Sequence, residues 1–99
     1  MGGGVAVEVE EGECRVGGAV VIRACLRPEV QCFCLEHVWE IRILKAGHVV
    51  REWRLAARAG EPGYRYITLE WRPEESGEYR VEARLVSHGT ASASIRVLC

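Results

Sequence analysis

The chain has 99 residues, 48% of them hydrophobic, and its 13 basic and 14 acidic side chains leave a formal net charge of −1. That length suits one domain able to bury about two-thirds of its unfolded surface. The balanced, interleaved charge excludes nucleic-acid or anionic-membrane binding through bulk electrostatics, and no apolar run approaches the roughly 18 residues of a spanning helix.

Met1-Gly2-Gly3-Gly4 lacks the basic start and apolar stretch of a signal peptide and reads as a flexible glycine-rich lead into a single domain over 1–99. Val5, Val7 and Val9 alternate with polar residues as a first strand, Glu11-Gly12-Glu13 turns the chain, and Cys14-Arg15-Val16 extends that strand. Gly17-Gly18 breaks it. The second strand runs from Ala19 to Leu26, with Val20, Ile22, Ala24 and Leu26 inward and Cys25 outward. Arg27 to Leu35 is a loop carrying Cys32-Phe33-Cys34. The third strand, His37 to Lys45, puts Trp39, Ile41 and Ile43 inward.

Lys45-Ala46-Gly47-His48 is a hairpin turn. Val49 to Leu55 makes a fourth strand, with Trp53 and Leu55 as core contacts; the hairpin before it favours strand over a helix at 52–58. The fifth strand is Tyr64 to Trp71. Proline and glycine in Arg72-Pro73-Glu74-Glu75-Ser76-Gly77 then force a corner. From Tyr79 the alternation is strict: Tyr79, Val81, Ala83 and Leu85 on one face, charged residues on the other. Ser87-His88-Gly89-Thr90 turns into a last strand with Ala91, Ala93, Ile95 and Val97 inward. Seven strands with turns at this spacing predict an all-β antiparallel sandwich.

Gly77-Glu78-Tyr79-Arg80-Val81 resembles the tyrosine corner of immunoglobulin-like domains, in which the Tyr hydroxyl bonds back to the corner's backbone. With Trp71-Arg72-Pro73 before it, the run is similar to immunoglobulin-like or fibronectin-III-like domains of bacterial and archaeal cell-surface and accessory proteins. The resemblance implies a seven-stranded immunoglobulin-like sandwich with Trp39, Trp71, Tyr79 and Val81 in the core. Trp39 follows Ala24 at the spacing of the buried tryptophan. Ala24 and Val81 stand where antibody domains carry the inter-sheet bridge, so the five cysteines are left for the periphery.

Those five, Cys14, Cys25, Cys32, Cys34 and Cys99, allow two disulfides and one thiol, or a bridge between chains. They favour an extracellular or cell-surface setting, with the cytoplasm not excluded, or a thermophilic source. The near absence of lysine, Lys45 being the only one, fits a GC-rich or a thermophilic source. Cys25, Cys32, Cys34 and His37 also form a set of four soft or borderline ligands suited to zinc. The competing reading is a disulfide from Cys25 to Cys32 or Cys34 that staples the loop. His48 and His88 would meet only if their turns share one end of the sandwich. Tyr64, Arg65 and Tyr66 make a candidate interface patch.

No nucleophile elbow, acid pair or phosphate loop is legible, so the chain reads as no enzyme and as needing no cofactor. The main functional expectation is a non-catalytic module that binds protein, including copies of itself through edge strands, as a structural or adhesion subunit. The alternative is a zinc-binding or redox accessory domain built on Cys25, Cys32, Cys34 and His37.

Overall fold

The computed structural model describes residues 4–9 and 13–99. The glycine start, the turn at 10–12 and the inward placement expected of Val9 lie outside the described residues. Eight strands follow in order: β1 (Val5–Val9), β2 (Glu13–Arg15), β3 (Val20–Leu26), β4 (Glu36–Lys45), β5 (His48–Arg58), β6 (Tyr66–Trp71), β7 (Gly77–Leu85) and β8 (Gly89–Leu98). They form a three-stranded sheet, β1-β3-β6, and a five-stranded sheet, β2-β8-β7-β4-β5. The expected all-β, two-sheet architecture is present, and the 52–58 stretch is strand.

The expectation of seven strands is corrected to eight. Cys14-Arg15 does not extend β1; it joins the other sheet, pairing parallel with β8 as Cys14 opposite Val97 and Arg15 opposite Leu98. All other pairings are antiparallel.

Alternation places the core. Val20, Ile22, Ala24 and Leu26 of β3 face Trp39, Ile41 and Ile43 of β4 and Tyr79, Val81, Ala83 and Leu85 of β7, all within one buried cluster. The corner forms as its sequence demands: the Tyr79 hydroxyl donates to the Glu75 carbonyl at 2.7 Å. Trp71 meets the Tyr79 ring edge-on at 4.9 Å, and Lys45 Nζ donates to the Ser76 carbonyl at 2.9 Å. Gly77 has φ +137°, and a Cβ there would lie 3.0 Å from Lys45 Cε, so only glycine suits the position.

One core contact is corrected. Leu55 is exposed, because β5 is the edge of the wider sheet and overhangs the three strands opposite; Trp53 is half-buried. Among the described residues no helix is long and apolar enough to cross a membrane.

Candidate metal centre

Antiparallel order decides which loops meet. β4 starts at Glu36, opposite the end of β5 at Arg58, and Trp39 lies opposite Leu85 near the end of β7. The β3–β4, β5–β6 and β7–β8 connections therefore gather at one end of the molecule. His48 sits at the other end, beyond Lys45, so it does not approach His88.

His37 continues the inward alternation of β4 and is 2% exposed, the sole buried charged or polar side chain among the described residues. A buried imidazole needs partners. Its Nδ1–H donates to the Tyr64 carbonyl at 2.7 Å, which fixes the tautomer and leaves the Nε2 lone pair pointing at Cys32 Sγ, 3.2 Å away. The Tyr64 ring stacks on His37 at 3.8 Å with planes 8° apart, and the Tyr64 hydroxyl donates to the Cys34 carbonyl. Trp39 Nε1 donates to the neighbouring Gly63 carbonyl at 2.9 Å. Tyr64 thus braces both His37 and the cysteine loop.

Cys32 and Cys34 come from the β3–β4 loop. Arg65 pins that loop through bonds to the carbonyls of Arg27 (2.9 Å) and Val30 (3.0 Å). His88 comes from the β7–β8 hairpin, which Val86 ties to Val38 of β4 by a 3.0 Å backbone bond. Ser87, just before it, holds φ +70°. A non-glycine residue in the left-handed region is mildly strained, and such strain concentrates at functional sites; here it precedes the residue that reaches the sulfurs. His88 Nε2 lies 3.2 Å from Cys32 Sγ and 3.6 Å from Cys34 Sγ.

The four donor atoms of Cys32, Cys34, His37 and His88 all lie within 4.8 Å of one another. Zinc–sulfur bonds of about 2.3 Å and zinc–nitrogen bonds of about 2.0 Å set tetrahedral donors roughly 3.3–3.8 Å apart. The three sulfur–nitrogen separations of 3.2, 3.2 and 3.6 Å lie near that spacing, the two sulfurs are closer at 2.8 Å, and the whole set spans up to 4.8 Å. The sulfur–sulfur separation exceeds the roughly 2.05 Å of a disulfide, and none of the five cysteines forms one. The expected disulfide framework is therefore absent from this structure.

The cluster tunes its thiols. The Cys34 thiol hydrogen-bonds Cys32, and His37 adds to the effect, bringing the Cys32 pKa down to about 6. The Cys34 backbone N–H also donates to Cys32 Sγ at 3.4 Å. Cys34 is pushed the other way, because its proton is the one shared with the Cys32 thiolate. The Tyr64 hydroxyl is raised by desolvation and then by the negative sulfur nearby.

Of the set expected from sequence, Cys32, Cys34 and His37 are together, and Cys25 is not among them. Cys25 pairs across to Ala6 and Tyr66 within the three-stranded sheet. His88 takes the fourth place. Cys14 lies opposite Val97, and Arg15 bonds the Cys99 carbonyl at 3.2 Å. Of the tyrosine patch, Tyr66 is 63% exposed, whereas Tyr64 and Arg65 are engaged in holding the cysteine loop.

No family model and no curated protein matches the chain. Solved structures resemble it in fold. The CARDB domain of the PF1109 protein from Pyrococcus furiosus, in complex with di-metal ions, aligns with TM-score 0.65 at 15% identity over 97% of this chain and 94% of that one. A superoxide reductase (neelaredoxin) from Ignicoccus hospitalis aligns with TM-score 0.59 at 18% identity over 95% of this chain and 80% of that one. At these identities the likeness establishes the fold alone: an all-β, sandwich-like frame. The expectation that the chain is no enzyme is overturned by two findings. A constellation of four metal-ligating side chains is assembled, and the frame is one on which a superoxide reductase is built.

Proposed function

We infer that the chain is a metal-binding domain that holds one thiophilic divalent ion, zinc foremost, through Cys32, Cys34, His37 and His88. The single observation that carries this reading is the convergence of four such donors from three segments. A tetrahedral sulfur-and-nitrogen donor set selects zinc over hard cations. The Tyr64 carbonyl on His37 Nδ1 is the kind of outer contact that orients a metal-bound imidazole. The ion would cross-link the β3–β4 loop to the β7–β8 hairpin, on a frame we read as immunoglobulin-like, with β1 and β2 as two parts of one edge strand that changes sheet.

The extracellular expectation rested on cysteines pairing with one another. Cysteines that serve as ligands must stay reduced, so that argument lapses for Cys32 and Cys34.

The test is elemental analysis with native mass spectrometry on protein purified under reducing conditions without chelator. One ion per chain, lost in Cys32→Ser, supports the reading. A metal-free chain lighter by two hydrogens, with Cys32 bridged to Cys34, overturns it. A second reading is favoured by the superoxide reductase likeness: the same ligands would hold ferrous iron, which would supply one electron to superoxide, with two protons from water giving hydrogen peroxide and an external electron donor restoring the ferrous state. Iron-loaded protein that consumes superoxide faster than the Cys32→Ser variant would establish it.

A further inference from the structure

The sheets end in four strands, β1, β6, β2 and β5. Three are short, at 5, 6 and 3 residues. β5 has 11, runs without proline, glycine or lysine, and exposes Val49, Val50 and Leu55 at 50%, 48% and 38%. A long unpaired edge of this kind, with Arg51, Glu52, Arg54 and Arg58 as its charges, is a template for another strand, and soluble proteins normally blunt such an edge with lysine, inward charge, proline or brevity. A bulge at Ile43/Leu44 disturbs only its first residues.

We propose that β5 pairs with β5 of a second copy of this chain, antiparallel about a two-fold axis at Trp53, giving one continuous ten-stranded sheet. The occupant follows from the strand's own charges. On the outer face Glu52 is bonded to Arg42 at 2.7 Å and Arg54 to Glu40 at 3.3 Å. A two-fold axis normal to the sheet keeps outer residues opposite outer residues, so the axis must pass through a residue. Centred on Trp53, Glu52 of each chain faces Arg54 of its copy, and the outer face reads Arg42, Glu52, Arg54, Glu40 across the seam. Centred one residue earlier, Glu52 opposes Glu52; one residue later, Arg54 opposes Arg54. Like charges directly opposite are unfavourable.

Trp53 is also the midpoint of His48–Arg58, so this register spans the strand, pairing 51–55 regularly about the axis and setting the bulged residues 48–50 against 56–58. On the inner face Trp53 meets its symmetry mate, with Arg51 stacked on the same ring at 4.7 Å and set opposite Leu55 of the copy. None of this depends on the candidate metal site, whose one donor on the neighbouring strand, His37, lies opposite Ala57 near the end of β5.

The test is light scattering on eluting protein, in reductant and equimolar zinc, from micromolar to millimolar concentration. The wild type is expected to be a dimer at the upper end. Glu52→Arg alone and Arg54→Glu alone are expected to be monomers, since each sets like charges opposite one another twice. An equal mixture of the two is expected to recover the dimer, because both cross-strand pairs are then opposite in sign. Recovery also shows that both variants are folded. A wild type that stays monomeric, a dimer that persists in both single variants, or no recovery on mixing would each overturn the proposal.

Discussion

The two ends of this sandwich are pinned by different means. At one end Tyr79 hydrogen-bonds Glu75, four residues back, and Gly77 between them supplies the conformation that closes the corner. At the other, Cys32 meets His88 across 56 residues of sequence, and the site is complete only when three connections have folded together. The corner is mostly local, held by the Tyr79 and Lys45 bonds to its own carbonyls, and needs no ion. The other end gathers two thiols and two imidazoles with their donor atoms within 4.8 Å of one another, a cluster that would gain most if an ion filled it. Stability should therefore be metal-independent at the corner and metal-linked at the loops.

The largest contrast is expected from Cys32→Ser. With zinc at a hundredfold excess over its Kd, binding adds about 2.7 kcal/mol to the wild type, a rise in Tm of about 4–8 °C per kcal/mol. The variant should melt at one temperature with or without zinc, by differential scanning calorimetry. Gly77→Ala should do the reverse: a loss of about 1–3 kcal/mol from backbone strain, present equally in chelator and in zinc, with the metal affinity unchanged. If its penalty vanished on adding zinc, the two ends would not be independent.

Tyr64→Phe separates holding from binding. It keeps the stack on His37 and removes the hydroxyl's bond to the Cys34 carbonyl, so zinc affinity should fall by about tenfold, the lower range for outer-shell losses, in a competition titration. The smallest effect is a change in reactivity with pH. The Cys32 pKa is lowered from 9.0 to about 6, so its thiolate persists above that pH and is lost below it. Alkylation of the metal-free protein should show one fast cysteine whose rate is flat above about pH 6–7 and falls tenfold per unit below, as expected when only the thiolate attacks. Cys34, shifted upward, should react only at higher pH. A single ordinary thiol profile for both would mean that the cluster does not form without metal.

The difference between the ends also explains what the sequence could say. Periods of two in Val20–Leu26 and Tyr79–Leu85 and the Gly-x-Tyr step are local, and the core and corner stand as those patterns predict. Leu55 was misplaced because alternation marks which face a residue occupies but not how many strands lie opposite. β2 was misplaced because three residues carry no signal of which sheet they will join. At the metal end, Cys32, Cys34 and His37 were legible as a group within six positions, while Cys25 was included on proximity alone.

Parity argues against it. Cys25 faces outward from its sheet and His37 inward from the other, so the core lies between them. His88 was set apart as a turn histidine. β7, antiparallel to β4, ends where β4 begins, which brings His88 beside His37.

The exchange of Cys25 for His88 is therefore the most direct test. Cobalt(II), a spectroscopic stand-in for zinc, should give sulfur-to-metal charge transfer and the intense visible bands of a tetrahedral site when titrated into the wild type, saturating at one ion per chain. The account predicts the same spectrum and stoichiometry for Cys25→Ser, and loss of the tetrahedral bands with greatly weakened binding for His88→Ala. A spectrum abolished by Cys25→Ser and untouched by His88→Ala would contradict it.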